Sequence, residues 1–328
     1  MHSKSSNIVI PTAKLCSFPE RKERERKMTP TKDSVAFLGI GTMGHAMAAS
    51  ALRAGIHTVV WNRTPAAVED LVDLSAEVAE SPADAARRAA IVVTMLPDAD
   101  VVLSVAKEQG MLAGLAPDSI WVQMSTIGVA GIERVAALAA GERPDVMLID
   151  APVSGSKGPA EKGQLNIFAS GPDEARARLD PLFAALGERT IWVGPAGAGS
   201  RLKLVANAWL ALGAEAVSAS VALARELGLE METVMNALDG NPLVSPWQAA
   251  KLPRIAQGDY SDQFGLALAL KDVHLALQAA SDDRFQALAG LAQEWQEMVD
   301  FGLGELDLSV VAWALEQKGS KDQSHEME

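Results

Sequence analysis

The chain has 328 residues, of which 48% are hydrophobic and 22% are charged, and its formal net charge is −13 at pH 7. The apolar fraction is enough for a large core in one or two domains. The single cysteine, Cys16, excludes a disulfide scaffold and a cysteine-rich metal site. The pI of about 4.9 and the 5% aromatic content argue against nucleic acid as a partner, because phosphate neutralisation needs clustered basic residues.

Charge is unevenly distributed along the chain. Residues 1–33 contain eight Lys and Arg residues against four acidic ones, which leaves −17 for the remainder. This basic segment lacks the apolar run of a secretory signal, and its mixed charges predict a disordered N-terminal extension. We also expect a disordered tail at residues 319–328 and a cytoplasmic protein.

Strand and helix patterns alternate from residue 35 to about residue 193, which is typical of a mostly parallel sheet covered by helices. Proline and N-cap residues mark several helix starts between the strands. The predicted strands are 35–40, 57–61, 91–95, 119–123, 146–149, 165–170 and 189–193, with helices at 66–74, 83–90 and 174–186. The sequence therefore predicts an α/β domain over residues 34–196.

The pattern changes after the Gly- and Ala-rich segment 194–199, which we take as the domain boundary. Residues 200–227 have the pattern of one nearly continuous helix, and no convincing strand follows. Further helices are predicted at 231–239, 246–256, 265–281, 284–302 and 307–317. We expect residues 197–318 to form an all-α domain, joined to the first domain by a long interdomain helix.

The longest stretch without formal charge is Ser34 to Leu52, whose 19 residues are close to the length of a membrane span. It contains three glycines and divides into a strand-like half and a helix-like half, so it does not have the pattern of a transmembrane helix. We therefore predict a soluble chain with no membrane partner.

The turn inside that stretch, Gly39-Ile40-Gly41-Thr42-Met43-Gly44, matches G-x-G-x-x-G. It follows a predicted strand and opens a predicted helix, which is the context that a dinucleotide-binding turn requires. Glycines allow a tight turn and a close approach to a pyrophosphate, which then lies at the helix N-terminus. The alternative is a glycine-rich turn without a ligand. The motif favours a Rossmann-type domain in which Gly39, Gly41, Thr42, Met43 and Gly44 bind the cofactor.

The end of the second predicted strand, Asn62-Arg63-Thr64, bears on which cofactor binds. An acidic residue would grip the ribose 2′-hydroxyl of NAD, whereas these three residues offer hydrogen-bond donors to a 2′-phosphate. Arg63 could alternatively be an ordinary solvated surface residue. The pattern favours NADPH over NADH, and Leu96 and Pro97 are predicted to contact the cofactor after the strand 91–95.

No metal or hydrolase motif is present in the sequence, so no metal site is predicted. Hydride transfer without a metal needs a proton donor for the developing alkoxide. Lys203 and Asn207 are four residues apart and share one face of an otherwise apolar helix, where partial desolvation would make the ammonium a better acid. The alternative is a lysine that extends to solvent from a helix start.

Four segments in order, 37–44, 151–156, 197–207 and 264–272, resemble the β-hydroxyacid dehydrogenase family, which includes 3-hydroxyisobutyrate dehydrogenase and tartronate semialdehyde reductase. The resemblance covers about residues 35–318 and implies that Lys203 is the catalytic lysine. It also implies a set of residues that bind the substrate and one residue, Lys271, that binds the cofactor and helps close the site. The implied substrate-binding residues are Ser125, Thr126, Asn207, Asp272 and, within the segment 150–158, Ser154 and Gly155.

Ser156 stands where many members of the family have a second glycine. With Asn62-Arg63-Thr64 and the segment 302–307, it makes the chain similar to the glyoxylate/succinic semialdehyde reductase branch. The resemblance implies reduction of a small aldehyde acid to a hydroxy acid and a homodimer or homotetramer formed through the helical domain. Alternatives are a 3-hydroxyisobutyrate or tartronate semialdehyde type of dehydrogenase, an imine reductase-like enzyme, and an NADPH-binding interaction module without activity.

Overall fold

The computed structural model describes residues 34–280 and 284–317, which form a sheet domain followed by a helical domain. The predicted disordered segments 1–33 and 319–328 lie outside the described residues, so both expectations stay predictions. The predicted order, an α/β domain and then an all-α domain, is confirmed.

The larger sheet has six parallel strands in the order β3-β2-β1-β4-β5-β6. The strands are β1 (Val35–Leu38), β2 (Thr58–Trp61), β3 (Glu77–Val78), β4 (Ile91–Thr94), β5 (Ile120–Gln123) and β6 (Met147–Asp150). The order reverses between β1 and β4, and ligands of such sheets bind beyond the carboxyl ends of the strands at this switch point. Strand β3 was not predicted, because two residues are too few to give a periodic pattern.

The unbroken apolar run in β1 is explained by the layers that cover both faces of the sheet. Val35 and Phe37 pack into the core on one face, and Ala36 and Leu38 pack into the core on the other. All four are at most 1% exposed. A strand buried on both faces loses the polar alternation of a surface strand.

Helices cover the two faces of the larger sheet, and most of them connect its strands, whereas the last two follow β6 in the chain. They are α1 (Thr42–Arg53), α2 (Glu69–Asp73), α3 (Pro82–Arg88), α4 (Ala99–Leu103), α5 (Met111–Gly114), α6 (Gly128–Glu142), α7 (Lys157–Glu161) and α8 (Arg176–Leu186). The predicted helix 66–74 is a 3₁₀ turn followed by α2. Helix α3 begins as predicted after Ser81, whose hydroxyl accepts a hydrogen bond from the Asp84 N–H.

A second sheet of three strands follows the first in the chain. It consists of β7 (Val153–Ser154), β8 (Leu165–Ala169) and β9 (Gly187–Trp192), with β7 antiparallel and β9 parallel to β8. The predicted strands 165–170 and 189–193 therefore lie outside the larger sheet. A bridge between Asp150 and Ser170 connects the two sheets at the end of β6.

The helical domain begins with a 29-residue helix that also contacts both sheets. Its helices are α9 (Ala198–Glu226), α10 (Met231–Leu238), α11 (Pro246–Ala256), α12 (Leu266–Ala279) and α13 (Gln286–Met298), followed by helical turns at 299–303 and 308–310 and a helix over 311–317. Gly197, at φ +94°, directly precedes α9, and a Cβ on Gly199 would lie 2.2 Å from the Phe168 carbonyl oxygen. The start of α9 is therefore packed tightly against the strands.

Among the described residues, α9 alone is long and apolar enough to cross a membrane by length and composition. Its most apolar window is 39% buried in the structure, and a core helix of a soluble protein passes the same test. The helix also carries four buried polar side chains, Ser200, Lys203, Asn207 and Ser218. The expectation of no membrane partner stays a prediction.

Candidate active site

A cleft of about 320 Å³ lies between the carboxyl edge of the larger sheet and the helical domain. Both domains contribute to its wall. Of the residues predicted from the sequence, Thr42, Met43, Thr126, Ser154, Gly155, Lys203, Asn207 and Asp272 line this cleft. The fold therefore brings together residues that are up to 230 positions apart in the chain.

The glycine turn after β1 has the shape that a dinucleotide requires. A Cβ on Gly39, which has a φ of +97°, would lie 2.2 Å from the Met95 carbonyl oxygen, and a Cβ on Gly44 would lie 1.9 Å from the Gly39 carbonyl oxygen. At Gly41, by contrast, a Cβ would meet nothing within 4 Å. Two glycines thus allow tight packing, and the third leaves open space at the N-terminus of α1, where backbone N–H groups favour an anion.

The end of β2 is tied to this turn by Asn62. Its Oδ1 accepts a hydrogen bond from the Ile40 N–H (3.0 Å), and its Nδ2 donates one to the Thr64 carbonyl oxygen (3.1 Å). The amide of Asn62 therefore fixes the relative position of the two loops, while the neighbouring Arg63 is exposed. The predicted cofactor residues Leu96 and Pro97 follow β4 at the same edge of the sheet. These residues fit a dinucleotide.

Lys203 is buried one and a half turns into α9, with 8% of its surface exposed. Burial lowers the pKa of its ammonium to about 8, with nearby Lys271 acting in the same direction and Asp272 opposing both. At neutral pH the group is therefore still protonated but holds its proton less tightly than an ordinary lysine. Such a group is suited to general-acid catalysis.

A hydrogen-bonded chain of buried polar groups lies beside Lys203. Asn207, one turn further along α9, donates a hydrogen bond from Nδ2 to Asp272 Oδ2. The other oxygen, Oδ1, lies 3.1 Å from Lys271 Nζ, an ion pair without hydrogen-bond geometry. The predicted side-by-side placement of Lys203 and Asn207 is thus what the structure shows, and Asp272 holds the amide in place.

Lys271 joins the helical domain to the cofactor edge of the sheet. Its Nζ donates hydrogen bonds to the Thr126 carbonyl oxygen (2.7 Å) and the Pro97 carbonyl oxygen (3.3 Å). Both acceptors lie in loops that follow strands, Pro97 after β4 and Thr126 after β5. Lys271 therefore holds the two domains together beside Pro97, a residue that the sequence predicts to contact the cofactor.

Ser125 is placed differently from the expectation that it binds the substrate. Its side chain is buried and does not line the cleft. Its Oγ accepts a hydrogen bond from the Leu96 N–H (2.7 Å) and donates one to the Thr94 carbonyl oxygen (3.3 Å). The hydroxyl therefore supports the loop after β4, and the expectation that Ser125 binds substrate stays a prediction.

Asp150, the first residue of the segment 150–158 that was expected to bind substrate, is fully buried and also outside the cleft. Its carboxylate accepts hydrogen bonds from the Ser200 N–H (2.8 Å), the Ser200 hydroxyl (2.7 Å) and the Ser170 hydroxyl (3.2 Å). Ser170 in turn accepts a hydrogen bond from the Gly199 N–H (2.9 Å). Burial raises the pKa of Asp150, and the hydrogen bonds to its carboxylate oppose that shift. Asp150 thus anchors the N-terminus of α9, three residues before Lys203.

Other cleft residues were missed by the sequence analysis. They include Met95 and Met124 on the sheet side and Trp247, Lys251, Asp262 and Gln263 on the helical side. The first two are apolar residues at strand ends, which resemble ordinary core residues. The other four come from α11 and from the loop before α12, and no local spacing in the sequence connects them to Lys203.

Comparisons with known proteins agree with this geometry. Residues 34–194 match the family described as the NAD binding domain of 6-phosphogluconate dehydrogenase. Residues 197–315 match the family described as NAD-binding of NADP-dependent 3-hydroxyisobutyrate dehydrogenase. The boundary between the two matches falls in the segment 194–197, next to the start of α9.

Individual relatives cover most of the chain. Glyoxylate/succinic semialdehyde reductase 1 of Arabidopsis thaliana is 33% identical over 284 residues, which is 86% of this chain and 98% of the relative. The 3-hydroxyisobutyrate dehydrogenase of Pseudomonas aeruginosa is 34% identical over 254 residues, which is 75% of this chain and 85% of the relative. The solved structure of Mycobacterium tuberculosis 3-hydroxyisobutyrate dehydrogenase is similar with a TM-score of 0.77 at 28% identity, covering 86% of this chain and 99% of the other.

The anchor of α9 leads to a prediction about stability. In Asp150→Ala, the Ser200 N–H and the Ser200 hydroxyl lose their buried acceptor, while the Ser170 hydroxyl keeps only the Asp150 carbonyl oxygen (3.0 Å), which should lower the free energy of unfolding by about 2–4 kcal/mol. Urea unfolding measures this loss. The control, Asp239→Ala, removes an exposed carboxylate and should change the free energy by less than about 0.5 kcal/mol. Equal effects of the two substitutions would contradict the anchoring role.

Proposed function

The chain belongs to the β-hydroxyacid dehydrogenase family of NAD(P)-dependent oxidoreductases, and on that premise we propose that it uses NADPH to reduce a small aldehyde acid to the hydroxy acid. The observation that carries the proposal is the Lys203 ammonium, desolvated in a cleft at the carboxyl edge of the nucleotide-binding sheet. The substrate is of the glyoxylate or succinic semialdehyde type, as the name of the Arabidopsis relative supports.

The cofactor is held by the glycine turn and by the loop after β2. Backbone N–H groups at the start of α1, next to Gly41, hold the pyrophosphate. The Arg63 guanidinium and Thr64 bind the 2′-phosphate, while Asn62 keeps their loop in position through its bonds to Ile40 and Thr64. The absence of an acidic residue at the end of β2 supports NADPH over NADH.

The substrate carboxylate is held by Thr126 and by the Ser154–Gly155 loop, which line the cleft opposite α9. When bound, the reduced nicotinamide supplies the hydride for the carbonyl carbon. Lys203 gives its proton to the carbonyl oxygen as negative charge develops there, and its lowered pKa favours that transfer. Asn207, fixed by Asp272, orients the substrate oxygen beside the ammonium.

A 3-hydroxyisobutyrate type of dehydrogenase is the second candidate, because the Pseudomonas aeruginosa relative is 34% identical to the chain. The two candidates are separated by measuring the oxidation of NADPH and NADH with glyoxylate, succinic semialdehyde, tartronate semialdehyde and cyclic imines, and the reduction of NADP⁺ and NAD⁺ with 3-hydroxyisobutyrate. Faster NADPH oxidation with an aldehyde acid than with the imines supports the proposal. Turnover restricted to 3-hydroxyisobutyrate or to imines contradicts it, and turnover with none of them favours an interaction module.

Exposed apolar residues on α9 support a homodimer or homotetramer formed through the helical domain. Val205, Trp209 and Leu212 recur at helical spacing and are 65%, 83% and 43% exposed. Apolar side chains exposed in a row on one helix face are typical of a surface that a partner covers. A monomeric mass by light scattering would contradict this assembly.

Lys203→Ala should lower kcat by about two to four orders of magnitude, because the alkoxide loses its proton donor. In the unmodified enzyme, kcat/KM for reduction should fall as pH rises through about 8, as the ammonium loses its proton, and the reverse oxidation should gain over the same range. Steady-state kinetics against pH measure both effects. The control, Lys162→Ala, removes an exposed lysine and should leave kcat unchanged. Unchanged kcat in Lys203→Ala would contradict the assignment of Lys203 as the proton donor.

Arg63→Ala should raise the KM for NADPH by about 10- to 100-fold and leave the KM for NADH nearly unchanged. Only NADPH carries a 2′-phosphate, and this phosphate loses its charge-assisted hydrogen bonds with the guanidinium. Initial rates against each cofactor measure the difference. Arg189→Ala, at another exposed arginine of the same domain, serves as the control and should affect neither KM. An equal rise for both cofactors would show that Arg63 does not read the 2′-phosphate.

A further inference from the structure

The two ends of the cleft carry charge of opposite sign. At the reacting end, Lys203 and Asp272 line the cleft, and Lys271, which does not line it, pairs with Asp272, so that two cations stand against one carboxylate. This end favours a negatively charged group, such as a carboxylate that adjoins the reacting carbonyl. The opposite wall is formed by α11 and by the loop before α12.

The buried lysine in that opposite wall cannot receive a ligand carboxylate. Lys251 is 4% exposed, and its Nζ donates to Asp307 Oδ1 (2.7 Å), Asp307 Oδ2 (2.9 Å) and Gln263 Oε1 (3.1 Å). An ammonium has three N–H donors, so these contacts use all of them. The charge of Lys251 is also balanced by the fully buried Asp307.

Asp262 stands in the same wall, with its carboxylate exposed to the cleft. Burial and repulsion from Asp307 and Glu305 raise its pKa, while Lys251 and Lys157 act in the opposite direction. Lys157 is itself an exposed residue 3.9 Å from Glu161. Lys251 and Lys157 therefore lie near Asp307, Glu305 and Asp262 at this end of the cleft, and Asp262 is an exposed carboxylate that lines it.

We propose that Asp262 is a specificity-determining residue that admits oxo acids whose carboxylate adjoins the carbonyl group, glyoxylate among them, and rejects those with a carboxylate at the far end of the chain. The inference rests on the proposed function and narrows its substrate class. Glyoxylate, with adjoining groups, keeps its charge at the positive end. Succinic semialdehyde has two methylene groups between its carbonyl carbon and its carboxylate, which brings that charge toward Asp262.

The opposite wall, formed by α11 and the loop before α12, accepts instead a substrate tail that is uncharged or carries a hydroxyl group. A carboxylate oxygen of Asp262 accepts a hydrogen bond from a substrate hydroxyl, and the Gln263 amide beside it adds a donor. Trp247, whose ring lies under the Lys251 ammonium at 5.4 Å, supplies an apolar surface. The substrate class is therefore a short oxo acid with a neutral tail.

Asp262→Asn removes the charge and keeps the shape of the side chain. It should raise kcat/KM for succinic semialdehyde about five- to tenfold, as expected for one like charge removed at close range in a wet cleft, and change that for glyoxylate by less than about twofold. The control, Asp239→Asn, removes an exposed charge of the helical domain outside the cleft and should change neither value. An unchanged ratio of the two kcat/KM values in Asp262→Asn overturns the inference.

Binding of unreactive acids gives a second readout that does not depend on turnover. Calorimetry on the NADP⁺-loaded protein should show butyrate bound more tightly than succinate, and Asp262→Asn should narrow that difference about five- to tenfold. The inference is overturned if the ratio of the dissociation constants of butyrate and succinate is the same in the unmodified protein and in Asp262→Asn, or if butyrate does not bind. The proposed function and this inference can fail separately. If Asp262→Asn alters the ratio of butyrate to succinate affinity but the enzyme reduces no aldehyde, only the proposed function is contradicted. If the enzyme reduces aldehydes but that ratio is unaltered, only this inference is contradicted.

Discussion

The buried contact between the Asp150 carboxylate and the start of α9 is the interaction on which the active site depends. It joins the last strand of the larger sheet to the helix that carries Lys203 and Asn207. A helix N-terminus has free N–H groups and a positive dipole end, so a buried carboxylate is well placed there. Because Ser200 lies one turn before Lys203, this contact sets the depth at which the ammonium enters the cleft.

That depth explains the chemistry assigned to the lysine. An exposed lysine would keep its proton well above neutral pH, whereas burial brings the pKa of Lys203 to about 8. Asp272 keeps the ammonium from losing its charge entirely and also fixes Asn207. The net charge of −13 therefore says little about the ligand, since the proposed anion contacts are a few cations and one helix N-terminus.

The features that were predictable from the sequence are those set by local spacing. The glycine turn, the donors at Arg63 and the shared face of Lys203 and Asn207 each lie within a few consecutive residues, and periodicity places them on known elements. The hydrogen bonds of Ser125 to the loop after β4 were not predictable, because sequence alone does not say which of two adjacent polar residues, Ser125 or Thr126, lines the cleft. The role of Asp150 depends on a contact with residues 50 positions away.

The wall of the cleft formed by α11 and the loop before α12 was also not predictable from local sequence. Lys251 and Asp262 come from separate elements of the helical domain, and only the fold brings them to a cleft whose other end is Lys203. Long-range contacts of this kind leave no periodic trace in the sequence. The small second sheet was also not predicted, because a strand pattern predicts a strand but not the sheet that the strand joins.

A direct titration of the Lys203 ammonium tests the central claim. Lysine labelled with carbon-13 at Cε reports protonation by NMR, and the Lys203 signal is identified as the one that disappears in Lys203→Arg. The account predicts a midpoint near pH 8 in the intact protein. A midpoint near 10.5, the value of an ordinary lysine, would contradict the burial that this mechanism requires.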